Sequence, residues 1–439
     1  MKQDKRWLLV ACAVALEMGG AARSWATDGY FSHGYGMRAK GMGGASAAVT
    51  GDAYGGANNP ATMVEAGEQL EIGVDWFRPV RSADRSGAAL APLNGSVSSG
   101  SQDFFIPEIA YSHRLRQDLA MGVTVYGNGG MNTDYPQGSF QCPNARFQFG
   151  PANMLCGSGR LGVDLSQLIV APTLAWKFAP GQSLGLAPQL AYQRFKIDGA
   201  QLFGMNSSDP AHVSNGGYDS STGLGLRLGY LAEINERLKV GVSYGMRIHM
   251  SPFSSYSGLF PEQGRFDLPP NITVGLSFKP TTALLLALDY KRIDYSGLAA
   301  VGNPSTNFFR AQLGAPNGPG FGWQDVNTLK LGVEWQVNPQ WVLRGGLAHA
   351  SNPVQARDVT FNILAPGIVQ DQFTAGFSRS FGPDQTLTVA LMHAPERSVS
   401  GASLLNPLFQ SQGAPANAAG TETVRLREDS LGLAWTWQL

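Results

Sequence analysis

The chain has 439 residues, including 55 Gly and 26 Pro, with a formal net charge of zero and only 15% charged side chains, where soluble domains carry roughly 25%. The balanced charge excludes the basic excess of a nucleic-acid binder. Beyond the first two dozen residues no apolar run approaches the ~20 residues a membrane helix needs, which excludes a bundle of spanning helices and leaves one large β structure as the expectation.

In chain order, Lys2, Lys5 and Arg6 precede the apolar run Trp7–Leu16, and Ser24-Trp25-Ala26 supplies a small-x-small cleavage site. This pattern predicts a secretory signal peptide over residues 1–26. A lipobox reading of Leu9-Val10-Ala11-Cys12 competes, but its apolar region would end at Ala11, shorter than is usual. Cleavage removes four basic residues (Lys2, Lys5, Arg6, Arg23) and two acidic ones (Asp4, Glu17), so 32 of each become 28 and 30. Residues 27–67 do not alternate and are rich in Gly and Ala. They are predicted to fold as a compact hatch inside a barrel formed by 68–439.

From there a period of two dominates. Val240, Val242, Tyr244, Met246 and Ile248 share one parity, and Gly241, Ser243, Gly245, Arg247 and His249 the other; Leu284–Tyr290 and Leu329–Val337 repeat the pattern. Such alternation means strands with one apolar face. A soluble sandwich also alternates, but seldom sets Gly and charges so consistently opposite large apolar residues. Fourteen strands are predicted, near 69–83, 104–115, 118–127, 163–178, 183–197, 222–234, 237–250, 271–279, 281–295, 325–337, 340–351, 370–381, 384–395 and 421–438. Tight turns are expected at Arg116-Gln117, Pro180-Gly181, Asn235-Glu236, Pro280, Asn338-Pro339 and Gly382-Pro383, alternating with long, polar, Gly-rich loops. That asymmetry belongs to an outer-membrane barrel with both termini in the periplasm, and closure leaves no unpaired edge in lipid. The predicted fold is an all-β transmembrane antiparallel β-barrel of about 14 strands, with 12 or 16 as neighbouring counts, in a Gram-negative outer membrane. Trp76, Trp176, Tyr192, Tyr230, Trp335, Trp341, Trp435 and Trp437 lie near strand ends on the apolar parity, where interfacial girdles belong.

Candidate functional residues follow from this layout. Cys142 and Cys156 remain after cleavage, and an even pair in one loop of an exported protein reads as a disulfide. Phe140, Phe147, Phe149, Met154 and Leu155 surround it, which predicts a hydrophobic landing groove there, with a loop merely packed on its neighbours as the alternative. Pro107 in the second strand and Gly127, Gly129 and Gly130 at the end of the third weaken the ladder, so the wall is expected either to part between them or to carry ordinary bulges there. Pro172 and Pro188 place similar breaks in strands four and five. Inward parity puts Arg227, Arg247, Lys291, Lys330 and Arg344 in the lumen with Glu71, Asp75, Glu108, Asp289 and Glu334. Most are expected to neutralise one another across the barrel, because an unpaired buried charge costs several kcal/mol. Arg247 and Lys291 are the candidates to meet a ligand carboxylate. Gly181-Gln182-Ser183-Leu184-Gly185 matches a nucleophile elbow but falls in a β-turn, and the six histidines share no ligand spacing. No catalytic residue, metal or cofactor is predicted, and the protein is not expected to be an enzyme.

Gly34-Tyr35-Gly36-Met37, Gly41-Met42-Gly43-Gly44-Ala45, Asp52-Ala53 and Asn59-Pro60-Ala61, with Gly127–Asn132 and Val163–Gln167 further on, resemble the FadL/TodX-type outer-membrane transporters. The resemblance implies a hatch that blocks the lumen, an extracellular groove that catches ligand, and a kink in the third strand that opens the wall sideways. It implies diffusion of long-chain fatty acids or aromatic and aliphatic hydrocarbons by a monomer, with outer-membrane lipid, lipopolysaccharide and the barrel-assembly machinery as further partners. The turn at Asn59, Pro60 and Ala61 is expected to anchor the hatch to the wall, since Pro biases Asn59 toward extended backbone. A general diffusion porin is the alternative, and an outer-membrane lipid hydrolase a more distant one.

Overall fold

The protein is described by a computed structural model over residues 28–138, 140–144 and 148–439. The predicted signal peptide and Phe147 lie outside the described residues. Every predicted alternating segment forms a strand: β1 Gln69–Ser86, β2 Phe104–Arg116, β3 Leu119–Asn132, β4 Gly162–Ala179, β5 Gln182–Asp198, β6 Asp219–Asn235 and β7 Leu238–Gly245, then β8 Asn271–Thr281, β9 Leu284–Ile293, β10 Val326–Asn338, β11 Trp341–Ala350, β12 Asp371–Ser380, β13 Gln385–Ala402 and β14 Thr421–Gln438. Each pairs antiparallel with its neighbours, and β1 closes on β14 along its whole length, from Gln69 opposite Gln438 to Ser86 opposite Thr421.

The barrel is inside-out. Ile72, Val74, Leu174, Trp176, Leu329, Leu331 and Trp335 point outward and are exposed, whereas Asp75, Glu108, Arg227, Asp289, Lys291 and Lys330 are buried inside. Water would reverse this pattern; lipid requires it. Trp176 and Trp335 are exposed, and Trp435 stacks on Phe381 at the short-turn end, as an interfacial girdle does.

Prolines explain where the ladders lapse. The turn expected at Pro280 falls later, at Thr282-Ala283, because Pro280 lies near the end of β8, where it needs no ladder donor. Between Val170–Leu190 and Leu174–Leu186 the β4–β5 ladder is interrupted where Pro172 faces Pro188. The β2–β3 ladder runs only from Arg116–Leu119 to Ile109–Val125. Above it, Phe104–Glu108 pair with β1 alone and Tyr126–Asn132 with β4, with a bulge between Gly127 and Gly129.

The long loops correct the sequence reading. They are not mainly polar coil; they fold as short helical turns over the barrel mouth and hold its largest apolar core, with Phe253, Phe266, Tyr295 and Trp323 almost fully buried.

Candidate ligand path through the barrel

The segment Asp28–Gly67 lies inside the barrel and is tied to the wall around its circumference. Asn59 donates from Nδ2 to the carbonyls of Ala47 at 2.7 Å and Tyr230 on β6 at 3.0 Å, and accepts from Ala61 N through Oδ1 at 3.1 Å. Ser183 on β5 donates to the Ala61 carbonyl at 3.1 Å. Wall glycines permit the approach: a Cβ on Gly229 would sit 2.1 Å from Asn59 Oδ1, and one on Gly185 2.1 Å from the Pro60 carbonyl carbon.

Charge makes the remaining ties. The Lys40 ammonium lies 2.9 Å from Asp75 on β1 and 2.6 Å from Glu108 on β2. Asp28 sits 3.0 Å from Lys291 on β9 and 2.9 Å from Lys330 on β10. Arg38 meets Glu334, which also takes Arg344, each at 2.7 Å. Asp289 accepts from the amides of Ser46 at 2.7 Å and Ala47 at 2.8 Å. The expectation that lumenal charges neutralise one another across the barrel therefore needs correction. Apart from Arg344 and Glu334, these ion pairs run from wall to hatch, because the hatch occupies the space between facing walls. Burial disfavours the charged Lys40, but Asp75 and Glu108 outweigh it and hold its pKa above the usual lysine value. His33, buried in the hatch and beside the Lys40 ammonium, is pushed down to about 4.

Other sequence candidates separate in space. Lys291 is engaged by Asp28, and Arg247, in the break after β7, is 2.8 Å from Asp267. Both candidates for a ligand carboxylate thus carry a carboxylate of the chain itself. Cys142 and Cys156 are bonded to each other. Phe140, Met154 and Leu155 do not line an open groove: they are buried beneath the loop, where Arg85 donates to the Met154 carbonyl at 2.6 Å. Phe149 is exposed.

Open apolar space lies elsewhere. A small apolar cavity in the extracellular cap is walled by Phe195, Phe203, Phe260, Leu313 and Phe361. A second small cavity sits above the hatch tip between Tyr30, Phe77, Arg81, Met131, Trp323 and Glu428. Aromatic rings run from one to the other, Phe195 to Phe260 at 4.8 Å, Phe260 to Phe266 at 5.1 Å and Phe266 to Tyr30 at 6.0 Å. Sequence reasoning missed these residues; the one available signal was the concentration of Phe and Trp in loops read as polar.

Beside the second cavity the hatch seals the inner edge of β3. Ser32 N donates to the Asn128 carbonyl at 3.1 Å and Gly130 N to the Tyr30 carbonyl at 3.0 Å, while Phe31 bridges Gly129. A Cβ on Gly129 would lie 1.9 Å from the Tyr30 oxygen, so this contact demands glycine.

The family described as outer membrane protein transport protein (OMPP1/FadL/TodX) matches residues 32–403. The chain belongs to this family. Its members are transport proteins of the outer membrane, not enzymes, which agrees with the barrel and its buried hatch. Among solved structures, the Pseudomonas putida toluene transporter TodX aligns with a TM-score of 0.66 at 17% identity, over 94% of this chain and 100% of that one. A Pseudomonas aeruginosa FadL homologue gives 0.66 at 14% identity over 93% and 99%. The Ralstonia pickettii toluene transporter TbuX gives 0.59 at 17% identity over 93% and 99%. No curated protein sequence matches significantly.

Proposed function

We propose that this chain is a passive outer-membrane channel for hydrophobic molecules, either long-chain fatty acids or aromatic and aliphatic hydrocarbons. Ligand enters the cap cavity, passes along the aromatic column to the cavity above the hatch, and leaves sideways between β2 and β3 into the membrane. The observation that carries this reading is the end of the β2–β3 ladder at Ile109 and Val125. Each Å² of apolar surface moved into water costs about 25 cal/mol, so a route that ends in lipid spares an apolar ligand that cost. A water-filled porin fits less well, because the hatch fills the lumen. We further propose that the protein is exported by its signal peptide, inserted by the barrel-assembly machinery, and works as a monomer among lipid and lipopolysaccharide.

Pro107 and Gly127 are the next outward-facing positions that a continued ladder would place opposite each other. The double variant Pro107→Cys, Gly127→Cys should lose uptake of radiolabelled toluene and oleate when oxidised and regain it on reduction. Full uptake by the cross-linked form would overturn the lateral exit.

A further inference from the structure

Apart from the Tyr30 hydroxyl, the cavity above the hatch carries its polar groups at one edge. Arg81 and Glu428 both line it, from the paired strands β1 and β14, and both are more than nine-tenths buried. The two outer guanidinium nitrogens of Arg81 are committed to the carbonyls of Asn132 and Ser101. Its Nε has no partner, nor does Oε2 of Glu428 or Oδ1 of Asn132, which lines the same cavity. Among the described residues no ion pair joins Arg81 to Glu428, although they sit on neighbouring strands. Three unsatisfied polar atoms from one cavity edge are a departure, since nearly all buried polar groups find partners.

A hydrocarbon would leave all three unpaired. A carboxylate could take the Arg81 Nε–H but has no hydrogen to give the Asn132 oxygen. A hydroxyl both donates and accepts, so it can bond Glu428 or Asn132 and Arg81 Nε together while its apolar body lies against Phe77, Met131 and Trp323. We propose that this cavity selects neutral hydroxyl-bearing hydrophobic molecules, phenols or alcohols, and that Glu428 sets the preference. The inference rests on the channel reading above and narrows its substrate class.

Binding of p-cresol, toluene and 4-methylbenzoate to the full-length purified protein, by equilibrium dialysis in one detergent, tests it. A hydrogen bond to a charged group is worth about 1.5–3 kcal/mol, so p-cresol should bind at least about tenfold tighter than toluene. Glu428→Leu should erase that preference, and Glu428→Gln, which keeps an acceptor and a donor in place, should retain it. Heat-modifiable gel migration checks that both variants fold. Equal binding of p-cresol and toluene to the unaltered protein overturns the proposal whatever the variants do, as does tighter binding of 4-methylbenzoate than of p-cresol. If none of the three binds while oleate does, the proposal falls and the channel reading stands; if oleate fails to bind as well, the channel reading itself fails.

Discussion

At the scale of single residues, His33 shows how the hatch depends on being dry. Burial, reinforced by Lys40, keeps its ring neutral in the folded protein with a pKa near 4, against 6.5 for the ordinary side chain. As pH falls below 6.5 the unfolded chain takes up a proton that the folded one refuses until about pH 4. Stability from this group is therefore intact above pH 6.5 and lost as pH falls toward 4. At pH 4.5 the loss should be on the order of 2–3 kcal/mol. Urea unfolding at pH 7.5 and 4.5 should show a drop that His33→Asn reduces by that amount; an equal drop in the variant would mean the ring is protonated in place. Residues of this kind were partly legible in the sequence. The Asn59-Pro60-Ala61 turn has a local signature, since Pro fixes its own φ and restricts Asn59. Arg81 and Glu428 have none: they meet only because the first and last strands pair in one particular register, which period two does not specify.

At the scale of elements, all fourteen strands were readable because lipid on one side and a crowded lumen on the other impose strict alternation. The hatch and the cap were not, because their short helical turns, Pro60–Glu65 in the hatch and Ser305–Phe309 in the cap, are too brief to express any period. The pairing of Tyr30–Ser32 with β3 was also hidden, since it joins an irregular segment to a bulge. It is nonetheless open to test. Ser32→Pro removes the donor to Asn128 and should detach the hatch tip, raising hydrogen exchange at the Gly130 amide by at least about tenfold, the equivalent of 1.4 kcal/mol of local opening. An unchanged rate would show that Tyr30 and Phe31 hold without that bond.

At the scale of the whole molecule, we propose that the hatch keeps the barrel from leaking. It is held by Lys40 to β1 and β2, by Asn59 and Ala61 to β5 and β6, and by Asp28 to β9 and β10. Removing one member of a buried ion pair costs about 3–5 kcal/mol, so the hatch cannot leave as a rigid body without breaking several such ties. Deleting residues 27–63 should leave a folded barrel with large, steady ion conductance in planar bilayers, while the intact protein stays nearly closed. Conductance as low as that of the intact protein would show that the segment is not the plug.

The hatch also runs directly into β1, and β1 is half of the seam with β14. Among the described residues, the stretch that fills the lumen thus precedes every wall strand, and the strand that shuts the cylinder follows all the others. The closed wall surrounds these contents tightly, and the Gly229 and Gly185 positions that admit the Asn59 turn set how closely it can draw in. Order along the chain and order of enclosure coincide: the filler comes first, and the seam that shuts the vessel joins the strand that follows it to the last one.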